Sequence, residues 1–454
     1  MSIHDIILRQ REFYDTGATR SHAFRINALN SLRDALNKNE DLIFSALRKD
    51  LGKHPMETYM CESGMVLDEI RYHLKHLKTW MRAKKVKTPM AQFHAKSFIS
   101  PEPYGIALIM TPWNYPVQLS LSPLVGAISA GNCVVLKPSA YAPNTSSAIA
   151  KIIGEAFRPE HIAVIEGGRE ENQELLKQTF DYIFFTGGIA VGKTVMEAAS
   201  KNLTPITLEL GGKSPVIVDS TSDLKLAAKR IAFGKVLNAG QTCVGPDYLF
   251  IEESKLEKFI DEFKNALNEF FPGGDMSSMP LMVNEKHFRR VTGLIQGQKI
   301  AIGGNSDSKR LFIEPTVLID VPPGSPIMNE EIFGPVLPVM TYKKIDECIN
   351  FIRSRPKPLA LYLFTSDKST EQLVLNNCSF GGGCINDTVI HLATPYMGFG
   401  GVGESGMGGY HGKRSFDTFT HYRSIVRKST WIDLKMRYHP YTEGNLKMIR
   451  MFLK

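Results

Sequence analysis

The residues best suited to covalent chemistry are a cysteine and a glutamate, each in a turn that contains glycine. Cys243 ends the segment NAGQTC (238–243), and Glu209 opens the segment ELGGKSP (209–215). A thiol and a carboxylate are the minimal groups for forming and then hydrolysing a thioester. An isolated cysteine is usually a small buried apolar residue. Both turns, however, end apolar runs, where catalytic groups concentrate. We therefore interpret Cys243 as a nucleophile and Glu209 as a second candidate catalytic residue.

A third candidate, Asn114, lies in TPWNYP (111–116), directly after the apolar run YGIALIM (104–110). Ligands of α/β sheets tend to bind at such strand ends. The amide of Asn114 could stabilise an oxyanion formed on a substrate carbonyl. An Asx-turn between the two prolines explains the same residues equally well at this point.

The segment FTGGIAVGKT (185–194) supports a competing interpretation. Gly187, Gly192, Lys193 and Thr194 satisfy the P-loop pattern between an apolar strand and a helix. The run PVIVD (215–219) would then be the acidic strand that positions magnesium. A nucleotide hydrolase is thus a real alternative, and a simple glycine turn is another. In either nucleotide-binding case, glycine amides at a helix N-terminus hold a phosphate.

Two further segments contain candidate cofactor contacts. Lys137 in KPSA (137–140) could reach a ribose or phosphate, although a surface lysine is the ordinary explanation. In EEIFGP (330–335), Glu331 could bind ribose hydroxyls and Phe333 could pack on a flat ring. A capped turn with a buried phenylalanine accounts for that segment without any ligand.

No segment indicates a metal site. His73, His76, His391, His411 and His421 lack companions at metal-binding spacing. The glycine-rich run FGGVGESGMGGYHGKRSFDTFTH (399–421) constrains the backbone more than it offers side chains, and we interpret it as a structural loop.

Composition limits the class of protein. The chain has 454 residues, of which 43% are hydrophobic and 22% charged, as in globular proteins of two or three domains. A net charge of +8, from 54 basic and 46 acidic residues, could favour anionic ligands such as nucleotides. The charge is too evenly spread to indicate a nucleic-acid partner.

The cysteines and the apolar runs indicate a compartment. Six cysteines without C-x-x-C spacing argue against a disulfide framework and favour a reducing, cytoplasmic location. The N-terminus shows no signal peptide. No run approaches the roughly 18 apolar residues that a membrane span needs.

The elements that must position these groups alternate between strands and helices. Residues 1–85 have helical periodicity, and 86–103 is typical of an exposed hairpin or interdomain arm. After them, the alternation predicts parallel sheets covered by helices on both faces. The expected strands are 104–110, 133–137, 182–186, 205–210, 215–219, 248–252, 316–320, 336–342 and 359–365. Glu209 and Cys243 fall on either side of a junction between two such units, where clefts form.

Taken together and in order, the motifs TPWNYP, LKPS, FTGG, LELGGKSP, GQTC and EEIFGPV resemble the aldehyde dehydrogenase superfamily. The continuation GGVGESGMGGYHGKRSFDTF and the compact length look like its class 3 branch, which includes fatty and aromatic aldehyde dehydrogenases. The likeness runs from about residue 5 to 440.

The resemblance implies an α/β fold with three parts. A Rossmann-like NAD(P)-binding domain would comprise 1–85 and 104–209, and a second α/β domain, 210–395, would carry the nucleophile. The segments 86–103 and 410–435 would form a small β bridging arm that completes a homodimer.

The resemblance also implies roles for individual residues. Cys243 would attack the aldehyde, Asn114 and the Cys243 N–H would hold the oxyanion, and Glu209 would activate the hydrolytic water. Hydride would pass to NAD or NADP, and no metal would be needed. The implied cofactor contacts are Trp113, Lys137, Gly187, Gly188, Gly192, Glu331 and Phe333.

Two departures from the family pattern bear on the cofactor. Ala140 stands where a carboxylate often follows LKPS, so repulsion of a 2′-phosphate is weaker and Lys137 would attract one. We therefore predict that NADP is accepted, alone or together with NAD. Gly188 replaces a common serine, which removes a hydroxyl contact and keeps the backbone donors.

The sequence thus predicts an NAD(P)-dependent aldehyde dehydrogenase. Its alternatives are a P-loop hydrolase using 187–194 and a non-catalytic nucleotide-binding protein. Tyr115, Phe233 and Thr242 lie near the candidate site in sequence and suggest an apolar tunnel for aliphatic or aromatic aldehydes, with core packing as the other explanation for Phe233.

Overall fold

The computed structural model describes residues 2–453, which contain two large sheets and a smaller arm. The first sheet has five parallel strands and one short antiparallel strand at its edge. In spatial order from that edge the strands are Gly406–Met407, Ile206–Glu209, Tyr182–Thr186, Ile106–Met110, Cys133–Lys137 and Ile162–Val164. Numbered along the chain, the five parallel strands have the order 3-2-1-4-5, which is that of dinucleotide-binding folds.

Alternation along the central strand explains how this sheet is covered. Leu108 faces a cluster that includes Ile7 and Val195, whereas Ile109 faces a second cluster with Leu32 and Leu124. Each face therefore buries apolar side chains under helices, as parallel sheets require. Ligands of such sheets bind beyond the strand ends where the strand order reverses. In this sheet that point lies between Met110 and Thr186.

The second sheet has six parallel strands and one antiparallel edge strand. In spatial order they are Lys299–Ile302, Thr316–Ile319, Val336–Tyr342, Tyr248–Glu252, Pro215–Val218, Ala360–Phe364 and Gly382–Ile385. A small hairpin is formed by Ser306–Asp307 and Phe312–Ile313.

The arm is a three-stranded antiparallel sheet of Lys84–Val86, Ala95–Pro103 and Thr420–Lys428. The first two strands form the exposed hairpin expected for 86–103. The third, nine residues long, comes from near the C-terminus and lies at the edge of the sheet.

Helices cover the sheets and form the N-terminal region. The α-helices are Ile3–Asp15, His22–Lys38, Glu40–Leu51, Pro55–Thr58, Gly64–Trp80, Pro116–Ala130, Pro143–Ala156, Arg169–Lys177, Ile189–Ser200, Leu224–Val236, Leu256–Phe270, Glu285–Ile295, Pro326–Asn329, Ile345–Arg353, Lys368–Asn377, Lys413–Thr418 and Glu443–Phe452. Within residues 2–453, no helix combines the length and apolar character needed to traverse a bilayer.

The expected fold class is confirmed: parallel sheets alternate with helices, and a small β arm projects from them. The division into domains stays a prediction. Within the segment 410–435, Thr420–Lys428 forms the arm strand, whereas Tyr410 and His411 line the cavity described next.

Candidate active site

A cavity of about 820 Å³ brings together most of the candidate residues. It collects side chains that follow strands of both large sheets. The candidates on its wall are Trp113, Asn114, Tyr115, Gly187, Gly188, Glu209, Phe233, Thr242, Cys243, Glu331 and Phe333. Lys137 and Gly192 are not part of the wall.

An unusual turn presents Cys243 to this cavity. Helix Leu224–Val236 begins at Asp223, whose side chain accepts a hydrogen bond from Leu226 N at 3.0 Å. After this helix the backbone is left-handed at Asn238 (φ 50°), Ala239 (φ 52°) and Gly240 (φ 70°). Non-glycine residues rarely adopt this conformation, so the surrounding structure must hold it.

Glycine is required at the end of this turn. A Cβ on Gly240 would lie 2.2 Å from the carbonyl oxygen of Gly334. The turn that carries Cys243 therefore packs, backbone against backbone, on the EEIFGP segment. Beyond the cysteine, Tyr362 Oη donates to Val244 O at 2.6 Å and fixes the chain from the second sheet.

The thiol of Cys243 is held in its neutral form. Burial raises the pKa of Cys243 to about 12, and the negative charges of Glu331 and Glu209 add to the shift. Hydrogen bonds from the backbone amides of Cys243 and Val244 act in the opposite direction. The sulfur thus lies among backbone donors and needs a base to remove its proton.

Glu209 places a buried carboxyl group on the wall of the cavity that contains Cys243. It is the last residue of strand Ile206–Glu209 and is 3% exposed. Within residues 2–453, neither oxygen of its buried carboxyl group has a hydrogen-bond partner. Burial raises the pKa of Glu209 well above its usual value, and Arg414 offsets only part of that rise. Buried carboxyl groups are normally satisfied, so an unpartnered one in a cavity indicates a group that acts on a ligand.

Asn114 is fixed on both its main chain and its side chain. Its carbonyl oxygen accepts hydrogen bonds from Lys53 Nζ at 2.9 Å and Asn238 Nδ2 at 2.8 Å. Its own Nδ2 donates to Gln241 O at 3.0 Å. An amide nitrogen carries two hydrogens, so one donor remains for an oxygen in the cavity.

The glycines at 187 and 188 provide an opening at a helix N-terminus. Gly188 is the N-cap of helix Ile189–Ser200, and a Cβ placed there would meet nothing within 4 Å. Gly187 N donates to Glu209 O at 3.0 Å. The positive end of the helix therefore faces an accessible space suited to a pyrophosphate.

The P-loop interpretation fails on the same segment. A P-loop needs an open loop of amides before its lysine, but residues 189–194 are already helical. Gly192 is buried, and a Cβ there would lie 2.6 Å from a methyl carbon of Leu210. Gly192 packs the helix on its neighbour, and Lys193 is exposed on the outer face.

The EEIFGP segment offers an acceptor and an aromatic ring. Glu331 Oε1 is buried without a partner within residues 2–453, and burial raises the pKa of this carboxyl group to about 8. Phe333 has φ 49° and meets Trp113 edge to face, with 5.4 Å between ring centroids. Arg290 holds the segment by donating to Glu331 O at 3.2 Å and to Ile332 O at 2.6 Å.

These residues fit a dinucleotide. The orphaned oxygen of Glu331 can accept from ribose hydroxyls, the opening at Gly188 admits a pyrophosphate, and the rings of Trp113 and Phe333 offer aromatic surface on the cavity wall.

Lys137 occupies a different environment from the other candidates. It ends strand Cys133–Lys137, is 3% exposed, and donates through Nζ to Pro138 O at 2.8 Å and Gly167 O at 2.6 Å. Burial lowers its pKa, which nearby Glu171 and Glu166 partly restore. An ammonium group has three donors, so one is left for a ligand.

The rest of the cavity wall is mainly apolar. Tyr115 Oη and Thr242 Oγ1 lie 2.7 Å apart and tie the Asn114 turn to the cysteine turn. Phe233 is 37% exposed and lines the cavity, so it is a wall residue and not part of the packed core. The other apolar wall residues are Met60, Cys61, Met65, Pro112, Leu119, Ile189, Ala190, Leu210, Leu237, Val244, Leu359, Val389, Ile390, Leu392, Ala393 and Phe399.

Several polar wall residues were not identified from the sequence. They are Gln118, Thr186, His287, Arg290, Glu330, Tyr410 and His411. His287 packs 5.0 Å from Trp113 between ring centroids, and burial lowers its pKa to about 4. Tyr410 and His411 come from the glycine-rich run that was interpreted as purely structural. Because both residues line the cavity, this loop also contributes side chains to it.

Comparison with known proteins agrees with this geometry. The model of the aldehyde dehydrogenase family matches residues 3–425. The 4,4'-diaponeurosporen-aldehyde dehydrogenase of Staphylococcus aureus is 49% identical, over 98% of this chain and 97% of that protein. Aldehyde dehydrogenase family 3 member H1 of Arabidopsis thaliana is 44% identical, over 98% and 94% respectively.

Solved structures give the same result. The substrate-bound state of Staphylococcus aureus AldH superposes with a TM-score of 0.97 at 48% identity, covering 100% of both chains. An NAD-dependent aldehyde dehydrogenase from Sinorhizobium meliloti has a TM-score of 0.85 at 26% identity, covering 95% of this chain and 89% of the other. The chain belongs to the aldehyde dehydrogenase family.

Proposed function

We propose that this enzyme oxidises an aldehyde to the carboxylic acid through a covalent intermediate on Cys243. The Cys243 thiol gives its proton to Glu209, and the sulfur bonds to the carbonyl carbon. The carbonyl oxygen takes up the negative charge, and a thiohemiacetal results. Bound NAD(P)+ supplies the acceptor for the hydride that leaves this carbon. Loss of the hydride with its electron pair converts the thiohemiacetal into a thioester.

Hydrolysis then regenerates the enzyme. Glu209 first loses to solvent the proton that it took from Cys243. It then accepts a proton from a water molecule as the water oxygen bonds to the thioester carbon. The carbon–sulfur bond breaks, the acid leaves, and Glu209 returns this second proton to the sulfur. One carboxyl group serves both steps because burial raises its pKa toward the working range of a general base.

The observation that carries the proposal is the unpartnered Glu209 carboxyl group in the cavity that also contains Cys243. The free N–H of Asn114 Nδ2 and the Cys243 N–H are the donors proposed for the oxyanion. Donors held in place before the reaction begins lower its barrier more than mobile ones do.

The proposed cofactor contacts divide into two groups. Glu331, Phe333, Trp113, Gly187 and Gly188 are supported by their positions on the cavity wall. Lys137 is proposed from its remaining donor, and Gly192 contributes only through helix packing. Ala140 is exposed and uncharged, which supports acceptance of NADP alone or together with NAD.

We propose an apolar substrate of medium or long chain, or an aromatic one. The wall formed by Phe233, Tyr115 and the aliphatic residues around Ile390 would exclude strongly hydrated aldehydes. The Staphylococcus aureus relative is named for one particular aldehyde, 4,4'-diaponeurosporen-aldehyde.

Assembly, domain division and location are also proposals. The arm ends in the unpaired edge of strand Thr420–Lys428, and such edges pair readily with another chain, which supports a homodimer. The two large sheets and the arm support the division at residues 85–104 and 209–210. The six cysteines within residues 2–453 are free thiols, which supports a reducing, cytoplasmic location.

The test compares Cys243→Ala and Glu209→Gln with the wild type. We expect Cys243→Ala to lose oxidation and keep cofactor binding. In Glu209→Gln, one equivalent of reduced cofactor per site should form more slowly than in the wild type. The carboxylic acid should then be released very slowly in the steady state. Steady turnover near the wild-type rate in either variant would refute the roles assigned here.

A further inference from the structure

A buried ion pair lies directly behind the backbone of Asn114. Lys53 and Glu62 are both fully buried, with 2.5 Å between Lys53 Nζ and Glu62 Oε1. Neither residue lines the cavity. Desolvating two charges is costly, and apolar residues of similar volume often serve stability equally well. The pair therefore calls for an explanation beyond packing.

The first observation concerns what else Lys53 contacts. Its ammonium group donates to the carbonyl oxygen of Asn114 at 2.9 Å. The same group lies 4.1 Å from the centroid of the Tyr115 ring, within cation–π distance. Lys53 thus holds the two consecutive residues that face Gln241 and Thr242 of the cysteine turn.

The second observation concerns Glu62. Its Oε2 accepts from Val117 N at 2.8 Å and Gln118 N at 3.1 Å, in the first turn of helix Pro116–Ala130. These amides have no partner within the helix, and the helix dipole favours a carboxylate there. Glu62 itself lies in a π-helical turn, Tyr59–Ser63, a local distortion that is frequent at functional sites.

The third observation links the pair to the nucleophile. Asn238 Nδ2 also donates to Asn114 O, at 2.8 Å, and Asn238 N donates to Glu57 Oε1 at 2.8 Å. One carbonyl oxygen therefore connects Lys53 to the left-handed turn that presents Cys243.

We propose that Lys53 and Glu62 are positioning residues for the oxidation. They fix the Asn114 backbone so that its remaining amide N–H is directed at the oxygen of an aldehyde bound to Cys243. Neither side chain touches the substrate or the cofactor. The proposal rests on the oxyanion role proposed above for Asn114.

The test is a double variant, Lys53→Met/Glu62→Gln, which removes both charges together and leaves neither one unpaired. Its hydride-transfer rate in a single turnover is expected to fall about 10- to 100-fold, as for a misplacement near 1 Å, while the cofactor dissociation constant stays the same. Glu62→Gln alone keeps an oxygen acceptor for the helix amides and is expected to show a smaller fall.

The matched control is Gln10→Leu. Gln10 is also fully buried and donates to two backbone carbonyls, Val134 O at 2.9 Å and Pro159 O at 3.0 Å, away from the cavity. It is expected to lower Tm and leave the hydride-transfer rate unchanged, so it measures the effect of lost buried hydrogen bonds alone.

Combination with Asn114→Ala separates positioning from general destabilisation. If the pair acts through Asn114, the double variant lowers the rate in the wild-type background and has almost no effect in the Asn114→Ala background. Equal factors in both backgrounds, or a wild-type rate in the double variant, would overturn the proposal. A wild-type rate in Asn114→Ala would refute the oxyanion role, and the inference with it.

Discussion

The close contact between Gly240 and Gly334 allows us to predict how much stability the substitution Gly240→Ala removes. Gly240 has φ 70°, and a Cβ there would lie 2.2 Å from Gly334 O and 2.5 Å from Gly334 C. An alanine in left-handed backbone costs about 1–2 kcal/mol. Relieving the contact adds about 1–3 kcal/mol, typical of overpacking. Gly240→Ala should therefore lose about 2–5 kcal/mol of unfolding free energy, the sum of these ranges.

Two other glycines separate these contributions. Gly273 has φ 66° with nothing within 4 Å of an added Cβ, so Gly273→Ala isolates the backbone strain. Gly154 lies inside helix Pro143–Ala156 with open space around it, and Gly154→Ala should stabilise by about 0.5–1 kcal/mol. Denaturant titrations of the three variants give the free energies, and aldehyde-dependent reduction of the cofactor gives the activity.

Activity should fall only in Gly240→Ala. If the backbone at Gly334 shifts to relieve the contact, Phe333 moves with it, and if Gly240 shifts, Cys243 moves. A displacement of either residue by about 1 Å should lower kcat about 100-fold. The reasoning is refuted if Gly240→Ala is as stable and as active as Gly273→Ala.

Two further predictions concern charge. Burial raises the pKa of Cys243 to about 12, so the thiolate fraction in the free enzyme should rise about tenfold per pH unit below that value. The rate of Cys243 alkylation by iodoacetamide, followed by mass spectrometry, should therefore increase from about pH 7 to pH 10. A plateau of this rate below pH 9 would contradict the prediction. Ala140→Glu places a carboxylate at an exposed position, where it should repel a 2′-phosphate by about 1 kcal/mol. The kcat/KM for NADP, divided by the kcat/KM for NAD, should therefore drop about fivefold. An unchanged ratio would show that Ala140 does not affect the choice of cofactor.

Much of the fold could be predicted from local sequence. The apolar runs at Tyr182–Thr186 and Tyr248–Glu252 became strands with the expected bounds, because β-branched and aromatic residues between turn residues favour buried strands. Strand Gly382–Ile385 was not among the expected strands. Its Gly383 allows close approach to the neighbouring strand, because a Cβ there would lie 2.0 Å from the carbonyl oxygen of Leu361.

The candidate site could be predicted only where its residues lie in local motifs. Cys243, Glu209 and Asn114 each end a strand or begin a turn, and the topology then brings them to one cavity. His287 and Arg290 lie on a helix without any motif, and their contacts to Trp113 and to the EEIFGP backbone exist only in the folded chain. Lys53 and Glu62 were missed because an ion pair between the loop at 52–54 and the turn Tyr59–Ser63 has no sequence signature.

The segment around Gly187 shows how one pattern fits two structures. The P-loop spacing was correct in sequence, but the chain starts its helix at Ile189, so the expected phosphate loop is absent from residues 187–194. A P-loop needs an open loop of amides before its lysine, whereas Ile189, Ala190 and Val191 already lie in the helix.

The most direct test of the central claim is the mass of the enzyme during turnover. Glu209→Gln, mixed with an apolar aldehyde and oxidised cofactor and then quenched in acid, should carry one acyl group on the peptide that contains Cys243. An unmodified peptide at 243 during measurable turnover, or acylation of Cys61 in its place, would contradict the account.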